Sequence, residues 1–257
     1  MQKTKKIKKS SISAAEFGII ERLRSNEVKV FNADTLQKIL GWKKEKIYQA
    51  VHRMKAKGIV SEIGGGKYIM SSAEMDIYQT ACRIIWPSYI SFWSALSYYK
   101  FTEQLPRTVF LATTKARKTL KVNNTPLVFA KLSEKRFFGY EKTDDIVIAS
   151  REKAIIDSIL FSRYAGGIAE VFKCLKSAWS ELDKNILIDY AFRAKNKSLL
   201  KRLGFLIEKG SLDIDANLIK KINAKIGTGF SKLDPQRKKT GVYNKKWWLI
   251  LNTELIE

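Results

Sequence analysis

Apolar residues recur at helical spacing along residues 33–57, in two runs that are separated by a glycine. The apolar positions of the first run, residues 33–40, are Leu36, Ile39 and Leu40. Those of the second run, residues 43–57, fall at i, i+3, i+4 and i+7 and are Ile47, Ala50, Val51 and Met54. Gly41 lies between the runs, and glycine adopts a positive φ at little cost. The pattern predicts two amphipathic helices joined by a glycine turn.

A third helix is predicted before these two, over residues 10–26. Ser13 and Glu16 fit the capping-box pattern, in which the side chains of the cap and of the third helical residue each accept a backbone N–H. The expected buried face consists of Phe17, Ile20 and Leu23, with Ile19 on its flank.

A hairpin is predicted after the second helix, which Gly58 ends. Two strand-like runs, residues 59–63 and 67–70, surround the glycines at 64–66, which indicate a hairpin tip. Residues 28–31 form a short strand that could pair with this hairpin. Helices meeting at a glycine turn and followed by a hairpin are the layout of a winged helix-turn-helix, in which one helix enters the DNA major groove. The hairpin is then the wing.

The polar face of the second helix carries the candidate DNA-binding residues. Arg and Lys can donate to guanine and Gln can pair with adenine, so the candidates for base contacts are Lys43, Lys44, Tyr48, Gln49 and Arg53. Candidates for phosphate contacts are Lys46, Lys55, Lys57 and Lys67. His52 lies on the same face. The alternatives are an ordinary amphipathic helix with a solvated basic face, and a winged module that binds another protein.

The rest of the chain alternates between helical and strand-like patterns. Helices are expected at residues 71–85, 88–101, 168–178, 183–194 and 197–208, and in a segment that Ser150 caps. Strands are expected at residues 108–113, 127–132, 135–140, 146–149 and 247–251. Within residues 88–101, the core positions are Phe92, Trp93 and Leu96; within 183–194, they are Ile186, Leu187, Tyr190 and Ala191.

These elements predict an α+β protein in two domains. A winged helix-turn-helix over residues 10–71 follows a basic tail of residues 1–9. Residues 72–257 form a mixed α/β domain with a sheet of short strands and a C-terminal helical bundle.

Net charge points to a polyanionic partner. The chain carries a formal charge of +23 and has a pI near 9.9. Residues 1–70 hold 16 Lys and Arg against 6 Asp and Glu, so the charge is densest at this end. Counterion release and long-range attraction favour nucleic acid as the partner of such a chain. A lysine-rich or thermophilic proteome is the alternative source of the charge.

Residue types argue against most enzyme classes and cofactors. His52 is the single histidine, which excludes most histidine triads and metal clusters. Cys82 and Cys174 cannot build a disulfide framework, and buried thiols in a reducing cytoplasm are expected. No apolar run reaches the roughly 18 residues that span a membrane, and no signal peptide is recognisable. We therefore expect a cytoplasmic protein that is not an enzyme, with no metal and no cofactor.

The order and spacing of several segments resemble one known family. These segments are PSYISFWSALSYY at 87–99, TEQLPRTVFLATTKARK at 102–118, FFGY at 137–140, IVIASREKAIIDSI at 146–159, GG at 166–167 and RLGFLIE at 202–208. Together, from about residue 30 onward, they are similar to the AbiEi-like antitoxins and transcriptional regulators of abortive-infection systems.

The resemblance implies a function for each domain. Family members are antitoxins of type IV toxin–antitoxin pairs, and their winged-helix domain binds repeats in their own promoter and represses the operon. The C-terminal domain serves antitoxicity against a nucleotidyltransferase-like toxin, without a stable complex. The family has no established catalytic residues. Its DNA contacts correspond to the basic face of residues 43–57 and the wing at residues 64–67.

Two other functions remain open from the sequence. The basic segments at residues 115–121 and 236–246 suggest an RNA-binding antitoxin that shields the toxin's target. Asp144, Asp145, Glu152 and Lys153 are the acidic-plus-lysine group that a metal-dependent nuclease would need. Their spacing argues against it, because Glu152 and Lys153 are adjacent.

Overall fold

A computed structural model describes residues 12–71, 76–122, 124–143 and 146–255, which form a mixed α+β fold. The basic tail at residues 1–9, the predicted domain start at residue 72, and Asp144 and Asp145 lie outside the described residues. The chain divides into two compact units. The first comprises residues up to 84 together with 120–124, and the second comprises residues 85–119 and 125 onward. None of the described helices is both long and apolar enough to span a bilayer.

The first unit combines four helices with a small antiparallel sheet. Its elements up to residue 84 are α1 (Ala14–Ser25), β1 (Val30–Phe31), α2 (Ala33–Leu40), α3 (Lys44–Ala56), β2 (Val60–Gly64), β3 (Lys67–Met70) and α4 (Ile77–Ile84). The strand order is β1-β3-β2, with β1 and β2 each antiparallel to β3. The predicted short strand before α2 therefore does pair with the hairpin.

Local sequence explains where these elements begin and end. The side chain of Ser13 accepts the Glu16 N–H at 3.3 Å, and Glu16 Oε2 accepts the Ser13 N–H at 2.7 Å, so the predicted capping box is present. Gly41 has a φ of +67°, and its N–H donates to the carbonyl of Gln37, as the predicted end of α2 requires. The three glycines at 64–66 all have positive φ and form the tip between β2 and β3.

The core of the first unit lies between its three N-terminal helices and the sheet. All four predicted positions of α3, Ile47, Ala50, Val51 and Met54, are buried in it. Leu36 of α2 and Ile19, Ile20 and Leu23 of α1 pack in the same core. Phe17 was predicted to be buried, but it is 56% exposed, and Glu16 takes an inward position beside Lys57 instead. The capping box and the Lys57 ammonium provide Glu16 with polar partners inside that face.

The second unit contains a five-stranded mixed sheet and a helical region. The chain continues through β4 (Ser88–Ile90), α5 (Phe92–Tyr98), β5 (Val109–Thr113), β6 (Leu120–Val122), β7 (Thr125–Lys131), β8 (Tyr140–Thr143) and β9 (Ile146–Ala149). Strand β6 belongs to the first unit. Strands of the second unit are ordered β7-β5-β4-β9-β8, with parallel β7–β5 and β4–β9 pairs.

Five helices and a second small sheet complete the second unit. The helices are α6 (Arg151–Leu160), α7 (Ile168–Ala178), α8 (Lys184–Arg193), α9 (Lys197–Lys209) and α10 (Ala216–Ile226). The strands are β10 (Ser231–Lys232), β11 (Val242–Asn244) and β12 (Leu249–Leu251), in the order β10-β12-β11. Helix α6 is the central one, in contact with α5, α7, α8 and α9.

The helix predicted at residues 88–101 is wrong at its start. Residues 88–90 form β4, all of them buried, and α5 begins only at Phe92. A short apolar run that is buried on both faces carries no periodicity, so the sequence pattern does not distinguish a strand from a helix. Ser91 is the cap residue of α5, and its hydroxyl donates to Asp157 at 2.8 Å.

Three further expectations need correction. The strand predicted at residues 135–140 is instead a 3₁₀ turn, Glu134–Arg136, and a bend at Gly139, whose φ is +69°, before β8. Helix α10 was not predicted, although Ile222 and Ile226 are buried one helical turn apart. Ile186 was placed in the core but is 41% exposed, and its neighbour Ile188 is buried instead.

Candidate nucleic-acid interface

Helix α3 presents a polar face because its apolar stripe fixes its rotation. The four buried side chains of α3 hold one side against the core, so the opposite side faces solvent. Exposed on α3 or at its start are Lys43, Lys44, Lys46, Tyr48, Gln49, His52, Arg53 and Lys55. These are eight of the ten candidates from the sequence. The other two, Lys57 at the end of α3 and Lys67 at the start of β3, are half-buried.

A groove of about 610 Å³ lies beside this face. The helix contributes five of the candidates to its lining, which are Tyr48, Gln49, His52, Arg53 and Lys55. Strands β2 and β3 contribute Glu62 and Tyr68. Tyr48 is 55% exposed, so an aromatic ring and several hydrogen-bonding groups line one open surface.

Five candidate lysines have partners within the first unit, among them Lys57, whose Nζ lies 2.7 Å from Glu16 Oε2. Lys44 Nζ lies 2.7 Å from Asp34 Oδ1, across the Gly41 turn. Lys46 Nζ lies 4.1 Å from the centre of the Trp42 ring. Lys55 forms an ion pair with Glu62, and Lys67 donates to the carbonyl of Ile84.

The ion pairs shift the titration of their members. The hydrogen bond and charge of Lys44 lower the pKa of Asp34, and the same contact raises the pKa of Lys44. The Glu62 carboxylate raises the pKa of Lys55 in the same way. Both lysines therefore stay charged, and each must leave its carboxylate to contact a phosphate. Solvent screens surface pairs of this kind, so the exchange costs little.

The remaining cations on this face have no acidic partner. Within the described ranges, neither Lys43 nor Arg53 forms an ion pair. Gln49 and Arg53 lie one helical turn apart, so they project toward the same part of the groove. An amide and a guanidinium side by side can read base edges, since both make bidentate hydrogen bonds.

A second polar cluster is buried in the second unit, and the sequence analysis missed it. Lys153 and Asp157 of α6 form an ion pair, and Tyr89 and Ser91 each donate to Asp157 Oδ2, at 2.9 and 2.8 Å. Lys153 Nζ also donates to the Tyr89 hydroxyl at 2.9 Å. All four side chains are almost fully buried. Spacing of i and i+4 on one helix was the available signal, but it also describes exposed pairs.

Burial dominates the titration of this cluster. It lowers the pKa of Lys153, although the Asp157 carboxylate favours the charged form. It also raises the pKa of Tyr89 well above its ordinary value, and the charge of Asp157 acts in the same direction. The cluster satisfies its own hydrogen bonds and is closed to a macromolecule, so it organises packing between α6 and β4.

The described residues test the suggested metal site only in part. Asp144 and Asp145 of the suggested nuclease group lie outside the described residues. Glu152 accepts the N–H of Asp183 at 3.1 Å, and Lys153 is occupied by Asp157. Among the described residues, no group of three or more His, Cys, Asp or Glu side chains could hold a metal ion.

Comparisons with known proteins show the fold and leave the function open. No model of a known protein family matches the chain, and no curated protein matches it. Among solved structures, it is similar to the RV2827C protein from Mycobacterium tuberculosis. The TM-score is 0.66 at 12% sequence identity, over 93% of this chain and 92% of the other. The two chains therefore share an α+β architecture along nearly their whole lengths.

Proposed function

We propose that the protein is a sequence-specific DNA-binding repressor that acts as the antitoxin of a type IV toxin–antitoxin pair. Its first unit is a winged helix-turn-helix, with α3 as the recognition helix and β2–β3 as the wing. The α6–α10 region is the C-terminal helical bundle of an antitoxin domain. The observation that carries the proposal is the groove beside α3, where five candidate residues line one open surface.

The arrangement of α3 supports a division of roles among its side chains. Gln49 and Arg53 have no competing partner among the described residues, and they read base edges. Lys46 and Lys55 contact phosphates, and Lys55 exchanges Glu62 for a phosphate when DNA arrives. Lys44 likewise must leave Asp34 before it can contact a phosphate. Lys67 steadies the base of the wing through the Ile84 carbonyl, so its share in phosphate binding is smaller than the sequence suggested.

The antitoxin part of the proposal is supported by the family resemblance. The partner is a nucleotidyltransferase-like toxin encoded next to this protein, and the protein opposes its action in the cytoplasm without a stable complex. Co-expression tests this part. The full chain restores growth to cells that express the neighbouring toxin, and the two proteins elute separately in size-exclusion chromatography. Absence of rescue contradicts the antitoxin role and leaves the repressor role standing.

DNA binding is tested with the purified chain by fluorescence anisotropy across a salt series. The two duplexes are the DNA upstream of the protein's own gene and a scrambled duplex of the same composition. We expect at least about a thousandfold preference for the upstream DNA. Equal affinity for both, falling together as salt rises, contradicts sequence recognition and indicates polyanion attraction alone.

Single substitutions separate the two kinds of contact. Lys46→Ala weakens binding to both duplexes alike and lowers the salt slope by about one. Lys220→Ala, on the exposed surface of α10, removes one positive charge outside the first unit and is the matched control. If Lys220→Ala weakens binding as much as Lys46→Ala, then net charge and not α3 determines the affinity.

A further inference from the structure

The segment of residues 236–246 forms a defined platform on the second unit. Strand β11 pairs with β12 on one side, and the order β10-β12-β11 makes it an edge of this sheet within the described residues. Asn252 Nδ2 donates to the carbonyls of Asp234 and Lys238, both at 2.9 Å. A Cβ atom on Gly241 would lie 2.2 Å from the Leu251 carbonyl oxygen, so the loop packs directly on the backbone of β12.

An aromatic ring stands exposed on this platform. Tyr243 is 57% exposed and its neighbour Val242 is 71% exposed. The ring of Phe230 meets that of Tyr243 edge to face, with 4.8 Å between the centroids. The same Phe230 ring also contacts Trp248, with 5.0 Å between the centroids. Tyr243 thus packs on one ring of an aromatic cluster and still offers surface to a ligand.

The segment that carries this ring is rich in positive charge. Residues 236–246 contain five cations and no acidic residue; the cations are Arg237, Lys238, Lys239, Lys245 and Lys246. Arg237 pairs with Asp234 at 3.6 Å, and Lys246 pairs with Glu208 at 2.6 Å. In the described part of the chain, Lys238, Lys239 and Lys245 form no ion pair. Three exposed lysines therefore lie within five residues of the exposed Tyr243 along the chain.

We infer that this platform, defined by Tyr243 with Lys238, Lys239 and Lys245, binds single-stranded nucleic acid. Sequence-tolerant single-strand sites combine cations that follow the phosphates with aromatic side chains on which bases stack. In a duplex the base faces are stacked on neighbouring base pairs, so they cannot stack on Tyr243. The carboxylates of an acidic peptide would pair with the lysines but would make no stacking contact with the Tyr243 ring. The inference concerns the second unit and does not depend on DNA recognition by α3.

The test measures binding of the full chain to fluorescently labelled oligonucleotides by anisotropy. The oligonucleotides have about twelve nucleotides, within the usual site size of a single-strand-binding domain. Oligo(U) and oligo(dT) are compared with a duplex of the same length. Tyr243→Ala weakens single-strand binding at least about fivefold, since one stacked base contributes that much or more. Tyr243→Phe keeps the ring and retains near wild-type affinity. The same Tyr243 variants leave binding to the upstream duplex unchanged.

Charge variants complete the test. The double variant Lys238→Ala with Lys239→Ala lowers affinity and the salt slope, whereas Lys220→Ala with Lys221→Ala on α10 changes neither by as much. Preference for oligo(U) over oligo(dT) identifies RNA as the ligand, and equal affinity identifies single strands of either kind. The inference is overturned if Tyr243→Ala binds like the wild type, if both lysine pairs act alike, or if polyglutamate competes with the same dependence on Tyr243.

Discussion

Helices α3 and α6, one from each unit, use charged side chains in opposite ways. On α3, cations are exposed, and those that are paired meet carboxylates at the surface, as Lys44 meets Asp34. In α6, Lys153 and Asp157 are paired inside the core, with only about 1% of each residue exposed. The charges of α3 are free to exchange partners, while those of α6 are fixed by packing and hydrogen bonds. Surface cations can therefore bind a ligand, and buried ones determine which element packs against which.

Among the substitutions that test this contrast, Asp157→Ala is expected to have the largest effect on the free energy of unfolding. It leaves the Lys153 ammonium buried without its carboxylate and takes an acceptor from Tyr89 and Ser91. Removing one member of a buried pair costs about 3–5 kcal/mol. Urea unfolding followed by tryptophan fluorescence measures it, because Trp93, Trp179, Trp247 and Trp248 all report on the second unit.

Its matched control is an exposed ion pair with one member on the same helix. Arg151 and Glu181 form an exposed pair at 3.3 Å, and Glu181→Ala should cost less than about 1 kcal/mol. If Asp157→Ala and Glu181→Ala shift the urea midpoint equally, the Lys153–Asp157 pair has no special structural role.

The next largest effect concerns two helical glycines, one in each unit. A Cβ atom at Gly204 of α9 would lie 2.1 Å from Cζ3 of the buried Trp247, so Gly204→Ala forces the indole to move. Overpacking of this kind costs about 1–3 kcal/mol. A Cβ at Gly18 of α1 meets nothing within 4 Å, so Gly18→Ala should stabilise α1 by about 0.5–1 kcal/mol. Thermal unfolding followed by circular dichroism compares the two variants. If both raise or both lower the melting temperature, the packing argument is refuted.

A smaller effect is expected at the start of α1. Ser13→Ala removes the acceptor of the Glu16 N–H and should cost about 1 kcal/mol. Ser25→Ala, at the other end of the helix, removes a hydroxyl that donates to the Arg22 carbonyl and accepts from Asn26 Nδ2. Both contacts are exposed, so this variant should be near neutral. Fluorescence of Trp42, which packs on the core of the first unit, reports both. A neutral Ser13→Ala would mean that the capping box does not stabilise α1.

The smallest effect appears only in acid, and it concerns the one buried carboxylate of α1. Burial opposes ionisation of Glu16, but hydrogen bonds from Lys57 and Ser13 outweigh it and leave its pKa below the ordinary value. The folded state therefore binds this proton more weakly than the unfolded state. Its stabilisation is complete above the ordinary glutamate pKa and is lost as pH falls through the lower folded value. Glu16→Gln should flatten that part of the stability–pH curve, and an unchanged curve would contradict this assignment.

Sequence predicted the first unit well because its signals are local. Ser13 and Glu16 mark a helix start, Gly41 and Gly58 mark helix ends, and the apolar spacing from Ile47 to Met54 sets the rotation of α3. Each signal acts within a few residues of the structure it specifies. The prediction that Phe17 is buried was wrong. Periodicity alone could not show that Glu16 is turned inward by Lys57, which lies 41 positions away.

Sequence predicted the second unit less well because its decisive contacts are distant. Residues 88–90 form a strand because they pair with β5 and β9, and three residues of sequence do not indicate those partners. Ser91 was not recognised as a cap, since its hydroxyl is bound to Asp157, 66 positions away. At the candidate interface, the residues on α3 could be named from the helical pattern. That Lys44 and Lys55 are paired, whereas Arg53 is not, required the positions of Asp34 and Glu62.

The most direct test of the central claim, that the exposed face of α3 reads DNA sequence, is the specificity ratio of Gln49→Ala. The ratio compares affinity for the upstream DNA with affinity for the scrambled duplex at one salt concentration. Loss of a bidentate base contact of about 1–3 kcal/mol should lower the ratio by about five- to 150-fold while leaving binding to the scrambled duplex unchanged. An unchanged ratio, or an equal loss of affinity for both duplexes, would contradict the claim.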